Sequence, residues 1–152
     1  MRYFLKLLII FSLFCLTGCA EENEQLSFRN SYSSTQVEVE RDYDEIKDKK
    51  IHFADVFSID KDSYYVYFYS RTCSHCQNLK NFIIEKGIER NDLYFVESSN
   101  EVMFVKDTQL TIGLDNIEGF GILGYPSLVK IEDKTVTKNL AGNSYIKNEL
   151  IN

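Results

Sequence analysis

Cys73-Ser74-His75-Cys76 places two thiols three residues apart, close enough for both sulfurs to lie within one turn of a helix. Such a pair can pass between dithiol and disulfide by thiol–disulfide exchange. Fifty residues beyond Cys76 comes the chain's only proline, in Gly124-Tyr125-Pro126-Ser127-Leu128. A cysteine in the first turn of a helix faces unpaired backbone N–H groups and the positive end of the helix dipole, and both stabilise a thiolate. Cys73 has that place and reads as the attacking thiol. Cys76, one turn further in, reads as the resolving one. His75 lies between them; a partly protonated imidazole near the Cys73 sulfur would favour the thiolate further, while the plainer reading is a solvated side chain.

Other uses of these cysteines fit less well. Zinc takes about four ligands, yet there is no second C-x-x-C and only His52 and His75 remain as nitrogen donors, so no metal is expected. An inert structural disulfide across two residues would close too small a loop to stabilise much. For Pro126, a cis bond beside the C-x-x-C would turn the chain sharply and expose the Tyr125 backbone for pairing with an extended substrate. An ordinary trans proline at the start of a strand is the alternative.

The elements that must position these residues are readable in part. Tyr64 to Tyr69 is a run of aromatic and β-branched residues, hence a buried strand, with a turn at Ser70-Arg71-Thr72. Cys73 then opens a helix in which Leu79, Phe82, Ile83 and Ile84 recur at helical spacing, with Gly87 as its C-cap. Leu93 to Val96 is a second strand. Ile51, Phe53, Val56, Phe57 and Ile59 suggest a short helix or an irregular apolar segment. Val102 to Val105 is expected to open a helix before a glycine-punctuated approach to Pro126. Ser127 to Ile131 and Thr135 to Leu140 form a hairpin, and a closing amphipathic helix carries Tyr145, Ile146, Leu150 and Ile151, capped by Asn143 or Ser144. Parallel strands joined through a helix and followed by a hairpin make an α/β sandwich with a mixed sheet.

The 152 residues suffice for one domain with attached extras, and 44% hydrophobic with 14% aromatic content fits a globular core. A net charge of −6 argues against a nucleic-acid partner, which calls for a basic face. Arg2 and Lys6 precede an almost wholly apolar stretch from Leu7 to Leu16, too short for a comfortable span and readable as a secretory signal rather than a permanent anchor helix. From Ala20 to Asp48 nine acidic residues face three basic ones, with little hydrophobic periodicity. That composition reads as a solvated tether, with an acidic docking arm as the functional alternative.

Leu16-Thr17-Gly18-Cys19 resembles a bacterial lipobox. The resemblance implies that residues 1–18 are removed and that Cys19 becomes a lipidated N-terminus, holding the protein on the extracytoplasmic face of the cell membrane. Cys15 then leaves with the signal, and Cys73 and Cys76 are the only thiols left, in a setting that permits oxidation. The expected organisation is a signal peptide over 1–18, a polar acidic tether over 19–49 and a folded domain over 50–152.

The stretch Phe68 to Cys76, together with Gly124-Tyr125-Pro126-Ser127-Leu128 ahead of a hairpin and a final helix, resembles the thioredoxin superfamily over about residues 50–152. The His inside the motif and the Gly-aromatic-Pro form look most like the protein disulfide isomerase branch and thioredoxin-like bacterial lipoproteins. The resemblance implies a thioredoxin-like fold, Cys73 as nucleophile, Cys76 as resolving cysteine, Pro126 as a cis-proline and Tyr125 as the residue that pairs with substrate. It also implies a thiol–disulfide oxidoreductase without metal or organic cofactor, acting on thiols or disulfides of exported proteins and exchanging electrons with a further redox partner. The rival is a non-catalytic thioredoxin-like lipoprotein, a binding or secretion-accessory module. The sequence departs from the family in three places. Arg71-Thr72 replaces a Trp-containing lead-in, Tyr67 stands where many members bury an acid, and an insertion lies around residues 100–122, expected as a passive loop rather than a shaper of partner choice.

Overall fold

A computed structural model describes residues 39–152; the expected signal peptide, Cys19 and most of the expected tether lie outside the described residues. The chain separates into two units, Met1–Gln36 and Val37–Asn152, and the second contains everything that follows. Its four strands are β1 (Ser63–Tyr69), β2 (Leu93–Glu97), β3 (Ser127–Glu132) and β4 (Thr135–Ala141), ordered β2-β1-β3-β4 across the sheet. β1 runs parallel to β2 and antiparallel to β3, and β4 returns antiparallel beside β3. Two helices, α1 (Ser74–Glu89) and α2 (Asn143–Ile151), flank this mixed sheet as the sequence predicts.

β1 is central because its residues are apolar on both sides, as a strand covered on two faces requires. Tyr65, Tyr67 and Tyr69 face a layer built from α1 and α2, with Leu79, Ile83, Ile84, Ile146 and Leu150. Tyr64, Val66 and Phe68 face the opposite layer, with Phe53, Val56, Val102, Phe120 and Ile122. No helix opens at Val102. Phe104 instead forms a parallel bridge to Ile122, and a 3-10 helix follows at Thr108–Thr111. The 100–122 segment is therefore not a passive loop: it covers the second face of the sheet. Its backbone is held by Val105 N donating to Ile122 O and by Asn139 Nδ2 donating to Gly121 O, each at 2.9 Å.

The domain begins earlier than residue 50. Tyr43–Lys49 is a 3-10 helix whose Tyr43 and Ile46 are buried against α1 and β1. It starts with a capping box: the Asp42 carboxylate accepts from Asp44 N at 2.9 Å, while Asp42 N donates to Glu45 Oε1 at 2.9 Å. Lys49 Nζ closes the segment by donating to Gly87 O and Arg90 O. The expected tether boundary at 49/50 is corrected accordingly. Beyond it, Ile51 N donates to Phe95 O at 2.9 Å and Lys50 bridges Phe95 in parallel, a rudimentary fifth strand beside β2. Fully burying a large apolar side chain is worth about 1.5–3 kcal/mol. A chain starting at residue 50 should therefore be about 4 kcal/mol less stable than one starting at 37, measured by urea unfolding; equal midpoints would restore the original boundary.

Two smaller expectations change. Gly87 does not end α1, which runs on to Glu89 with Arg90 as C-cap. The N-cap of α2 is Gly142, whose φ of 97° suits glycine; Asn143 is the first helical residue and makes no cap. The β3–β4 hairpin turns through Asp133 and Lys134, both at positive φ, the two-residue geometry that matches strand twist.

Candidate active site

Cys73 is the N-cap of α1, at φ −83° and ψ 121°, and its sulfur accepts from Cys76 N at 3.4 Å. The sulfur thus stands at the unpaired N–H end of a 16-residue helix. Cys76 is fully buried, Cys73 half-exposed, and both are free thiols. Burial, ahead of all other causes, pushes the Cys76 thiol up to about 12. One sulfur is thus presented to solvent while its neighbour is kept protonated beneath it.

The loop before β3 completes the site. The Tyr125–Pro126 peptide is cis, and the Tyr125 carbonyl lies 3.4 Å from Cys73 Sγ, accepting its S–H. Ser127 Oγ donates to Gly124 O at 2.6 Å, and Gly142 N donates to Pro126 O at 3.2 Å, so the loop is tied at both sides. Asn143 Nδ2 donates to the His75 carbonyl at 3.0 Å, joining the head of α2 to the C-x-x-C turn. The His75 side chain is exposed. The structure brings together Cys73, Cys76, Tyr125 and Pro126, with His75 on the outer side of the turn.

Sequence reasoning missed the groups beneath Arg71. Its guanidinium donates to Glu97 Oε1 at 2.9 Å and to Asp44 Oδ1 at 3.0 Å, and sits 5.8 Å from the centre of the Tyr43 ring. Tyr69 OH donates to the other Glu97 oxygen at 2.9 Å. Burial would raise the Glu97 carboxyl, but the Tyr69 hydroxyl and Arg71 outweigh it and hold it below the ordinary carboxylate range. Arg71 thus fastens the 3-10 helix to the turn that presents Cys73. On the solvent side, exposed Phe104 meets the Tyr125 ring edge to face, with centroids 5.5 Å apart. Phe104 belongs to the 100–122 segment, so that segment reaches the site. Among the described residues no cluster of three or more His, Cys, Asp or Glu could hold a metal ion.

A mixed sheet ordered β2-β1-β3-β4, a Cys-x-x-Cys at the head of α1 and a cis-proline loop laid against it make this a thioredoxin-like fold. Among solved structures the chain is similar to thioredoxin from Plasmodium falciparum (17% identity, 68% of this chain and 96% of that one, TM-score 0.46). It is similar also to mitochondrial thioredoxin 3 from Saccharomyces cerevisiae (13%, 70% and 97%, TM-score 0.47) and to thioredoxin f2 from Chlamydomonas reinhardtii (18%, 68% and 92%, TM-score 0.43). No protein-family model and no curated protein sequence matches the chain.

Proposed function

We propose that this protein is a membrane-tethered, extracytoplasmic thiol–disulfide oxidoreductase acting on exported proteins. The observation that carries the chemistry is the asymmetry of the pair: Cys73 half-exposed at a helix N-cap against the cis-proline loop, Cys76 buried one turn behind it. The lipobox-like Leu16-Thr17-Gly18-Cys19 and the acidic segment after it support the tether and the compartment. Among the described residues no helix is long and apolar enough to cross a membrane.

The exchange runs in two displacements. Cys73 thiolate attacks one sulfur of a partner disulfide; a Cys73–partner S–S bond forms, and the partner's own bond breaks with its electron pair on the second sulfur. Cys76, having lost its proton, then attacks Cys73 Sγ. The Cys73–Cys76 disulfide forms, the first partner sulfur leaves as thiolate, and the proton released by Cys76, with one more from water, protonates the two partner sulfurs. Two electrons pass to the partner. Run backwards, the same steps oxidise a partner dithiol, and the reduction potential against the redox partner sets the direction. Tyr125 and Pro126 are placed to align an extended substrate chain, and exposed Phe104 to cover an apolar side chain beside its cysteine. His75, exposed next to the pair, is placed to add positive charge when protonated.

Cys76→Ser should accumulate mixed disulfides through Cys73 with insulin, released by dithiothreitol, while wild type turns insulin over and Cys73→Ser does neither. Wild type inert toward insulin disulfides, with a Cys76→Ser form that traps nothing in cells, would instead mean a binding module built on the same fold.

A further inference from the structure

The five buried tyrosines among the described residues lie on two elements, and three of them satisfy their hydroxyls. Tyr64 donates to Val56 O at 2.8 Å, Tyr65 to Glu149 Oε1 at 2.9 Å and Tyr69 to Glu97 Oε2 at 2.9 Å. The other two, Tyr43 and Tyr67, are at most 1% exposed, and neither phenol oxygen makes a hydrogen bond of ordinary length and angle. A buried hydroxyl left without a partner is uncommon and destabilising, so a fold that keeps two together invites a reason.

Both orphans lie with Cys76 in one cluster. Tyr67 comes from β1, Tyr43 from the 3-10 helix and Cys76 from α1, and the Tyr67 hydroxyl lies near both the Tyr43 hydroxyl and the Cys76 sulfur. Their rings are held. Tyr43 stacks on Tyr69 at 3.9 Å with Arg71 against it, and Tyr67 is flanked by Tyr69 at 6.1 Å and Phe95 at 5.9 Å. Both phenol oxygens are shielded from water.

A neutral thiol is a weak acceptor, whereas a thiolate accepts strongly. In the exchange proposed above Cys76 is a thiolate at the moment it attacks Cys73, and again when it is expelled in the reverse direction. We propose that Tyr67 and Tyr43 form a donor relay for that thiolate, Tyr67 OH donating to Cys76 Sγ and Tyr43 OH donating to the Tyr67 oxygen. The relay rests on the oxidoreductase reading. In this relay Tyr67 is the residue that would meet the reacting sulfur, and Tyr43 is a positioning residue that orients it. Burial raises both phenols above their ordinary value, so they keep their protons and give hydrogen bonds only. The thiol proton leaves to water and the departing partner thiolate.

Reaction with Ellman's reagent separates the steps, because attack by Cys73 releases one thionitrobenzoate and resolution by Cys76 releases the second. The full chain in detergent, carrying Cys15→Ser and Cys19→Ser so that only the pair reports, should show two phases. Tyr67→Phe should slow the second phase about tenfold or more, the worth of one hydrogen bond to a charged group, and leave the first unchanged. Tyr43→Phe should slow it several-fold. In both, the pH at which the second phase reaches half its limiting rate should rise. The groups facing Cys76 are Tyr43, Tyr67, Cys73 and Tyr125, with Arg71 behind Tyr43. If either variant fails to fold, the other carries the test, and a normal thermal melt certifies it. An unchanged second phase, or both phases slowed alike, overturns the relay. A parent protein that gives a first phase and no second overturns the oxidoreductase reading itself.

Discussion

Gly87→Val will cost this protein about 3 kcal/mol of stability, although replacing a glycine inside a helix ordinarily helps by about 1 kcal/mol. The reversal comes from Phe95. A Cβ at position 87 would sit 2.6 Å from Phe95 Cζ, 2.9 Å from Cε2 and 3.1 Å from Ile46 Cγ2. The Phe95 ring has nowhere to go: it is fully buried on β2, edge-on to Tyr67, and its strand is pinned on one side by β1 and on the other by the Lys50 bridge. Gly87 is thus a point of close approach between α1, β2 and the N-terminal 3-10 helix. Urea unfolding of Gly87→Val against wild type gives the cost. Phe95→Leu, destabilising alone, should recover part of it in the double variant, because the two sites share one volume. A Gly87→Val protein as stable as wild type would mean that α1 can move off the sheet.

That glycine also shows where sequence reading stops. A lone glycine after a run of helical spacing reads as a C-cap, and nothing local tells that use apart from a close approach by a ring on the strand beyond the helix. β1 was legible because Tyr64 to Tyr69 is buried on both faces and so carries no polar interruption. Cys73, Cys76 and the turn at Pro126 were legible because their residue types and spacing are themselves the signal. Tyr43 and Ile46 were hidden by their neighbours: with Asp42, Asp44, Glu45 and Asp48 around them, the segment looks solvated, and the polar faces of a 3-10 helix do look that way. The signal that would have found it is the Asp42…Glu45 spacing, a capping box at the head of an apolar pair. The 100–122 segment is harder for a physical reason. It covers a sheet face through a single bridge, one 3-10 turn and scattered anchors such as Phe120 and Ile122, and none of these has a period to detect. The phenol pair could not be read at all, since Tyr43 and Tyr67 meet Cys76 only through tertiary packing.

The same tyrosines set an alkaline limit. In an unfolded chain a tyrosine ionises near about pH 10 and a cysteine near about 8.5. In the fold, burial pushes Tyr64 and Cys76 up to about 12 and raises Tyr43, Tyr65, Tyr67 and Tyr69 as well, with the Glu149 and Glu97 carboxylates adding to the effect at Tyr65 and Tyr69. Above about pH 9 the folded protein therefore binds more protons than the unfolded one, and stability must fall as pH rises. The contribution is whole below about pH 9 and is lost progressively as pH climbs toward about 12. The reduced protein should keep a level melting temperature to about pH 9, then fall steeply and unfold cooperatively before about pH 12. Circular dichroism and tyrosinate absorbance should change together for the buried rings, because their ionisation and the loss of the core are one event. Cys76→Ala should delay the onset of the fall toward about pH 10 and leave the steep limb in place, since cysteine alone titrates in the first part of the window. Tyrosinate absorbance that reaches completion while the far-ultraviolet signal stays native would show these phenols open to solvent. They would then already be hydrogen-bonded to water, and the donor relay proposed for Cys76 would lose the two dry hydroxyls on which it depends.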